Sequence, residues 1–259
     1  MNKLKEVLLA TIDPAAPELA SRYDLGLELD EFCTAGNMDD PALFAPLDAE
    51  IRSFGSRTRI FHSPFNELFP CAIDPKIRAA ARERLDQAFQ TAQMYGIHRM
   101  VCHGNYVPNV YFPVWYVEQS VGFWKDYLSD KPADFQLYLE NVLEPEPEYL
   151  RDIVAGVADP RCRLCLDLGH AHVGCVSTVS PERWLTVCAP LLGHLHLHNN
   201  DATWDWHRPL GIGGIDYETI LPMLAELAPN ASVTLEHGQD SEQSLLWLAE
   251  RGWLAPAMR

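Results

Sequence analysis

Residues Gly193 to Gly214 read GHLHLHNNDATWDWHRPLGIGG and hold His194, His196, His198 and His207, four of the chain's 10 histidines. The first three alternate with Leu195 and Leu197. A period of two marks a β-strand with one polar and one apolar face. A strand that lines up imidazoles on one face is either an exposed edge or the inner wall of a site. The partners offered by the rest of the chain decide which.

On the N-terminal side the chain alternates short apolar runs with helical patterns. Strands are expected at Val7–Ile12, Leu25–Glu31, Thr58–His62, Arg99–His103, Phe135–Glu140 and Cys162–Asp167, then at Leu192–His198 and Ser232–Glu236. Between them lie amphipathic segments. The clearest runs from Asp74, a good N-cap followed by Pro75, to Tyr95, where Gly96 closes it. Eight strands alternating with eight helices predict parallel βαβ units, and eight such units close a (β/α)8 barrel. No linker or internal repeat interrupts the pattern, so residues 1–259 are expected to form a single α/β domain of the TIM-barrel type.

Composition narrows the class further. The chain has 259 residues, 47% of them hydrophobic, which is ordinary for a soluble globular domain. No apolar run reaches the ~18–20 residues of a membrane span. The start, MNKLKEVLLATID, lacks a signal-peptide cleavage pattern. Seven cysteines without a regular framework fit a reducing compartment, and a cytoplasmic location is expected. The net charge of −16, from 20 basic and 36 acidic residues, argues against a nucleic-acid partner. A small-molecule substrate is expected, with no membrane partner; a homo-oligomer is left open.

In a barrel of this kind the active site lies at the C-terminal ends of the strands. Those ends carry Glu28, His62, His103, Glu140, Asp167, His196 or His198, and Glu236. A lone strand-end acid or histidine is more often a cap or a solvated loop residue. Seven strands with Glu, Asp or His at one level need another cause, because converging carboxylates repel unless a cation neutralises them. Mixed carboxylate and imidazole ligands suit Zn or Mn, with Co and Fe also compatible, while an oxygen-only set suits Mg or Ca. By contrast, Cys162 and Cys165 form a CxxC on a strand, point to opposite faces and are read as core.

The motifs FHSP, VCHG, YLENV, LDLGHAH, HLHLHNND, DWHRPLGIGGIDY and TLEHG, in this order, resemble the xylose isomerase-like TIM barrels. That superfamily includes endonuclease IV and many sugar isomerases and epimerases. The resemblance covers the second to eighth strands. It implies one divalent ion held by Glu140, Asp167, His196 and Glu236. It also implies the wider endonuclease IV set, which holds three zinc ions, adding His62, His103, His170, Asp205 and His207. Between one and three divalent ions are therefore expected, Zn or Mn foremost and Mg compatible. Asn199 stands where the family pattern usually has an acid, so His196 and His198 both remain candidates for the seventh-strand ligand.

Two chemistries follow. In the leading one, the protein is an isomerase or epimerase of a small sugar, sugar phosphate or related polyol or keto-acid. Glu140 and Glu236 would be the acid/base pair, and the ion would stabilise an enediolate. The runner-up is phosphoester hydrolysis at a multinuclear centre, on a substrate other than DNA, because the loops Ser63–Pro75 and Gly104–Phe123 contain no Lys or Arg. A catalytically silent metal-binding barrel is the third reading. Expected substrate contacts are Glu28, His198, Trp204, Trp206 and Arg208, with Arg208 and His170 able to hold a hydroxyl or phosphate group. His194 lies one layer deeper and is read as structural.

Overall fold

A computed structural model describes residues 4–255. The ends of the expected domain, residues 1–3 and 256–259, lie outside the described residues. Eight parallel strands close a barrel in sequence order, with β1 (Val7–Ala10) pairing both β2 (Gly26–Leu29) and β8 (Ser232–Leu235). Between these run β3 (Thr58–His62), β4 (Arg99–His103), β5 (Gln136–Glu140), β6 (Cys162–Asp167) and β7 (Leu192–Leu197).

The expected helices appear as α1 (Ala16–Tyr23), α3 (Pro41–Phe54), α4 (Pro75–Met94), α5 (Pro113–Ser129), α6 (Pro147–Val157), α8 (Pro181–Cys188), α9 (Tyr217–Leu227) and α10 (Ser241–Glu250). Two short ones add to the expected eight: α2 (Gly36–Asp39) and α7 (Leu168–His172). The second is nucleated locally, since the Asp167 side chain caps it by accepting from the His170 amide. None of the described helices is long and apolar enough to cross a membrane.

Strand periodicity sorts the side chains into layers. Outward residues such as Leu9, Leu27, Phe61, Leu139, Leu166, Leu195 and Val233 form the main core against the helices. Inside the barrel, Leu8, Ile60, Val101, Tyr138 and Cys165 form a smaller packed layer. Two residues further along each strand the same inward face carries His62, His103, Glu140 and Asp167. The apolar layer is thus the floor of the site. Cys162 packs in the outer core and Cys165 in the inner layer, as expected for opposite faces of one strand.

Candidate metal centre

Register brings the ring together. His103 lies beside Glu140 across β4–β5, and Asp167 beside His196 across β6–β7. Around the Nδ1 atom of His196 stand Glu236 Oε2 at 3.2 Å, Glu140 Oε1 at 3.4 Å and Asp167 Oδ2 at 3.7 Å. The other oxygen of Glu140 faces His62 Nε2 at 3.2 Å and His103 Nε2 at 3.3 Å. On the far side, Asp205 Oδ2 lies 3.2 Å from His170 Nε2 and 2.8 Å from His207 Nε2. All nine residues of the wider set therefore converge in three groups, the first two sharing Glu140 and the third abutting the first through Asp167 and Glu236.

Three observations test whether this arrangement suits divalent ions. The spacings match a metal polyhedron, since bonds of ~2.1 Å to tetrahedral ligands place those ligands roughly 3.4 Å apart. Buried atoms without a hydrogen-bond partner include His196 Nδ1 and Glu236 Oε2, which face each other at 3.2 Å. Orphaned buried polar atoms are rare and call for an explanation.

Imidazole tautomers supply the third. His62 Nδ1–H donates to the Ser63 carbonyl, His170 Nδ1–H to that of Asn141 and His207 Nδ1–H to that of Glu236, at 2.8–3.0 Å. His196 Nε2–H donates to Glu28 Oε1 at 3.1 Å. Each ring is held by one nitrogen from outside and presents the other inward, the usual arrangement of metal-ligating histidines. The residues fit divalent ions.

Electrostatics agree. Burial alone would raise the Glu140 carboxyl, but His103 and His196 outweigh it and hold it well below the usual carboxylate range. Asp167 is lowered likewise against burial, by His170 and His198. Burial opposes charge on His196, yet Cys165, Glu236, Glu28 and Glu140 raise it well above the ordinary histidine value. His207, against burial, is pushed up to about 10 by Asp205 and Glu236. Protons thus collect where a cation would otherwise balance the carboxylates.

The five expected substrate contacts lie elsewhere. Glu28 is below the ring, bonded to His194, His196 and Thr234, because the β2–β3 register sets it beside Ile60 in the floor layer. His198 is fully buried and donates from Nε2 to Asp167 Oδ2 at 3.0 Å, so it positions that carboxylate. A Cβ on Gly169 would sit 1.8 Å from the His198 ring, which explains the glycine. Trp206 and Arg208 turn to a neighbouring cavity of about 550 Å³, where Asp201 takes Arg208 at 3.0 Å. Trp204 is 63% exposed and lines neither that cavity nor the one above the ring.

The cause is the arm from Asn200 to His207. Its base is an antiparallel bridge between Asn199 and Arg208. The Asn199 side chain donates to the Leu210 and Ile215 carbonyls and accepts from the Asn200 and Ile215 amides. Asn199 is therefore a staple for the turn, and the β6–β7 register sets His196, not His198, beside Asp167.

The cavity above the ring measures about 880 Å³ and is lined by His62, His103, Glu140, His170, Asp205, His207 and Glu236 from the centre. Its other walls include Asp30, Glu31, Phe65, Phe69, Asn105 and Tyr106, and among the described residues no Lys or Arg lines it. Phe65 stacks on the His103 ring, with centroids 4.3 Å apart and planes at 14°. Sequence reasoning missed Asp30, Glu31 and the role of Asn141. The Asn141 side chain pairs with the backbone of Asp167 while its carbonyl fixes His170. The ENV motif carried that signal.

The chain matches the xylose isomerase-like TIM barrel family over residues 24–257. It belongs to that family. An uncharacterized protein of Methanocaldococcus jannaschii is 24% identical over 189 residues, 69% of this chain and 64% of the relative. The chain thus spans under two thirds of that curated relative's length. Among solved structures, the TTHB071 protein of Thermus thermophilus, soaked with ZnCl2, is 27% identical. It superposes with a TM-score of 0.74 over 95% of this chain and 97% of its own. A D-tagatose 3-epimerase-like protein (18% identity, TM-score 0.75, 95% and 96% covered) shares the fold. So does the IOLI protein with a bound zinc atom (16%, 0.73, 95% and 96%). The structural neighbours include epimerases and a probable dehydratase.

Proposed function

We propose that the chain is a divalent-metal-dependent phosphoesterase acting on a small substrate that is not a nucleic acid. The carrying observation is the division of Glu140: one oxygen faces His196 and the other faces His62 and His103. A carboxylate with ligand groups at both oxygens is placed as a bridge between them. This reverses the order of the two chemistries expected from sequence. Bound divalent ions would polarise phosphoryl oxygens and lower the pKa of a water nucleophile. Zinc and manganese suit the mixed nitrogen and oxygen donors.

The chain's own residues divide the remaining work. With no Lys or Arg among the described residues of the cavity wall, the ester's negative charge is met at the centre alone, which disfavours a polyanionic strand. Phe65, Phe69 and Tyr106 narrow the cavity and limit water around the remainder of the substrate. Metal-loaded protein assayed for phosphate release against small phosphomonoesters and phosphodiesters is expected to turn over at least one class. Three ions per chain with no release from a broad panel would count decisively against the proposal.

Isomerisation or epimerisation is the second reading, favoured by the unpartnered Oε2 of Glu236 and by the epimerases among the neighbours. It requires one ion per chain and deuterium exchange from solvent into a ketose or keto-acid. Metal stoichiometry separates the two.

A further inference from the structure

Beneath the ring, on the barrel axis, lie four polar side chains that neither chemistry uses: Glu28, His194, Ser232 and Thr234, each at most 4% exposed. The same level is otherwise packed with Leu8, Ile60 and Val101, the first two directly beside Thr234 and Glu28 in register, so polarity is not needed to fill the barrel. A carboxylate buried this deeply is costly unless its hydrogen bonds are complete.

They are complete. Glu28 Oε1 accepts from His196 Nε2 at 3.1 Å, and Glu28 Oε2 accepts from His194 Nε2 at 3.1 Å and Thr234 Oγ1 at 2.5 Å. Ser232 Oγ donates to His194 Nδ1 at 2.7 Å, which sets the tautomer that sends the Nε2 proton to Glu28. His194 Nε2 also lies 3.0 Å from Thr234 Oγ1, and Ser232 Oγ lies 3.5 Å from the Gly193 carbonyl, a longer contact than its 2.7 Å to His194. The outcome at the top is a His196 whose Nδ1 lone pair faces Glu140, Asp167 and Glu236.

His62, His170 and His207 are backed by backbone carbonyls, whereas His196 is backed by the Glu28 carboxyl group. A carboxylate partner raises the basicity of a ligating imidazole more than a carbonyl does. We infer that Glu28 makes the seat of Glu140, Asp167, His196 and Glu236 the tightest of the three, so that it fills first. His194, Ser232 and Thr234 are the supports that keep Glu28 oriented. The inference rests on the multinuclear reading proposed above. Glu28 is a positioning residue, since it acts only through His196.

The test titrates full-length, metal-free protein with Zn²⁺ against a chromogenic chelator. Wild type should show one seat distinctly tighter than the others. Glu28→Gln, which keeps the shape and removes the charge, should weaken that seat about 10- to 100-fold and leave the others unchanged. His62→Gln should do the converse, weakening a looser seat alone. Long-range ¹H–¹⁵N spectra should show His196 protonated at Nε2 in wild type and redistributed in Glu28→Gln, a change that a packing role would not produce. An unaltered tight seat in Glu28→Gln overturns the inference. So does equal weakening of all seats with a lower melting temperature of the metal-free protein, or three ions of equal affinity in wild type. Absence of any zinc binding would instead remove the metal reading itself.

Discussion

Asp167 and His196 face each other in the β6–β7 register and are fully buried, whereas Asp205 and His207 ride on the arm between Asn199 and Arg208. The arm pair remains about a quarter exposed, with side-chain accessibilities of 25% and 26%. Strand-borne ligands are held by a ladder that exists for other reasons. Arm-borne ligands depend on a few dedicated contacts, and His207 sits at φ 48°, a left-handed conformation that costs a non-glycine residue on the order of 1–3 kcal/mol. One centre thus joins a rigid half to a half that must be held in place.

The sharpest break of that contrast is at the residue both halves need. Glu140→Gln should lower turnover by on the order of 10²–10³ or more and reduce bound metal, read by elemental analysis beside an activity assay. If both survive, Glu140 is not a bridge. Next in size, Asp205→Asn should cost one ion per chain while the strand-borne seat keeps its affinity. Loss of all ions would show that the halves are not independent.

Asn199→Ala leaves the Leu210 and Ile215 carbonyls without their buried donor. At about 2 kcal/mol, melting should fall by roughly 4–8 °C. Arm-seat affinity should fall with it, and a drop in stability alone would mean that the staple does not govern the arm.

The smallest effect concerns protons. In metal-free protein His207 titrates at about 10, against an ordinary value near 6.5. Its raised value stabilises the metal-free fold fully below pH ~6.5, and that contribution is lost as pH rises through about 10. Metal must expel the same proton, so arm-seat affinity should climb with pH up to that value. Calorimetry at pH 8 in buffers of different ionisation enthalpy should find about one proton released at this seat. None released would place His207 outside it.

Much of the barrel is legible in the sequence because β-strand periodicity and strand-end chemistry are local. Strand ends at His62, His103, Glu140 and Asp167 fall where the pattern puts them. What periodicity cannot supply is depth and direction. Glu28 alternates with leucines as Glu140 does, yet register pairs it with Ile60 in the layer below, and Asp30, two residues on, lines the cavity. Trp204, Trp206 and Arg208 flank ligands in sequence but turn outward, because the Asn199 staple sets the arm's course. Phe65 reaches His103 from a loop whose path no spacing rule describes.

The closing of β8 onto β1 has a consequence for assembly. Glu28 meets His196 across a sequence separation of 168 and Thr234 across one of 206. Contacts of such sequence separation form late, after most of the chain has been made. The support beneath His196 therefore cannot form from any single local stretch, unlike a zinc finger whose ligands lie within one short loop. The column that orients His196 exists only once the barrel has closed.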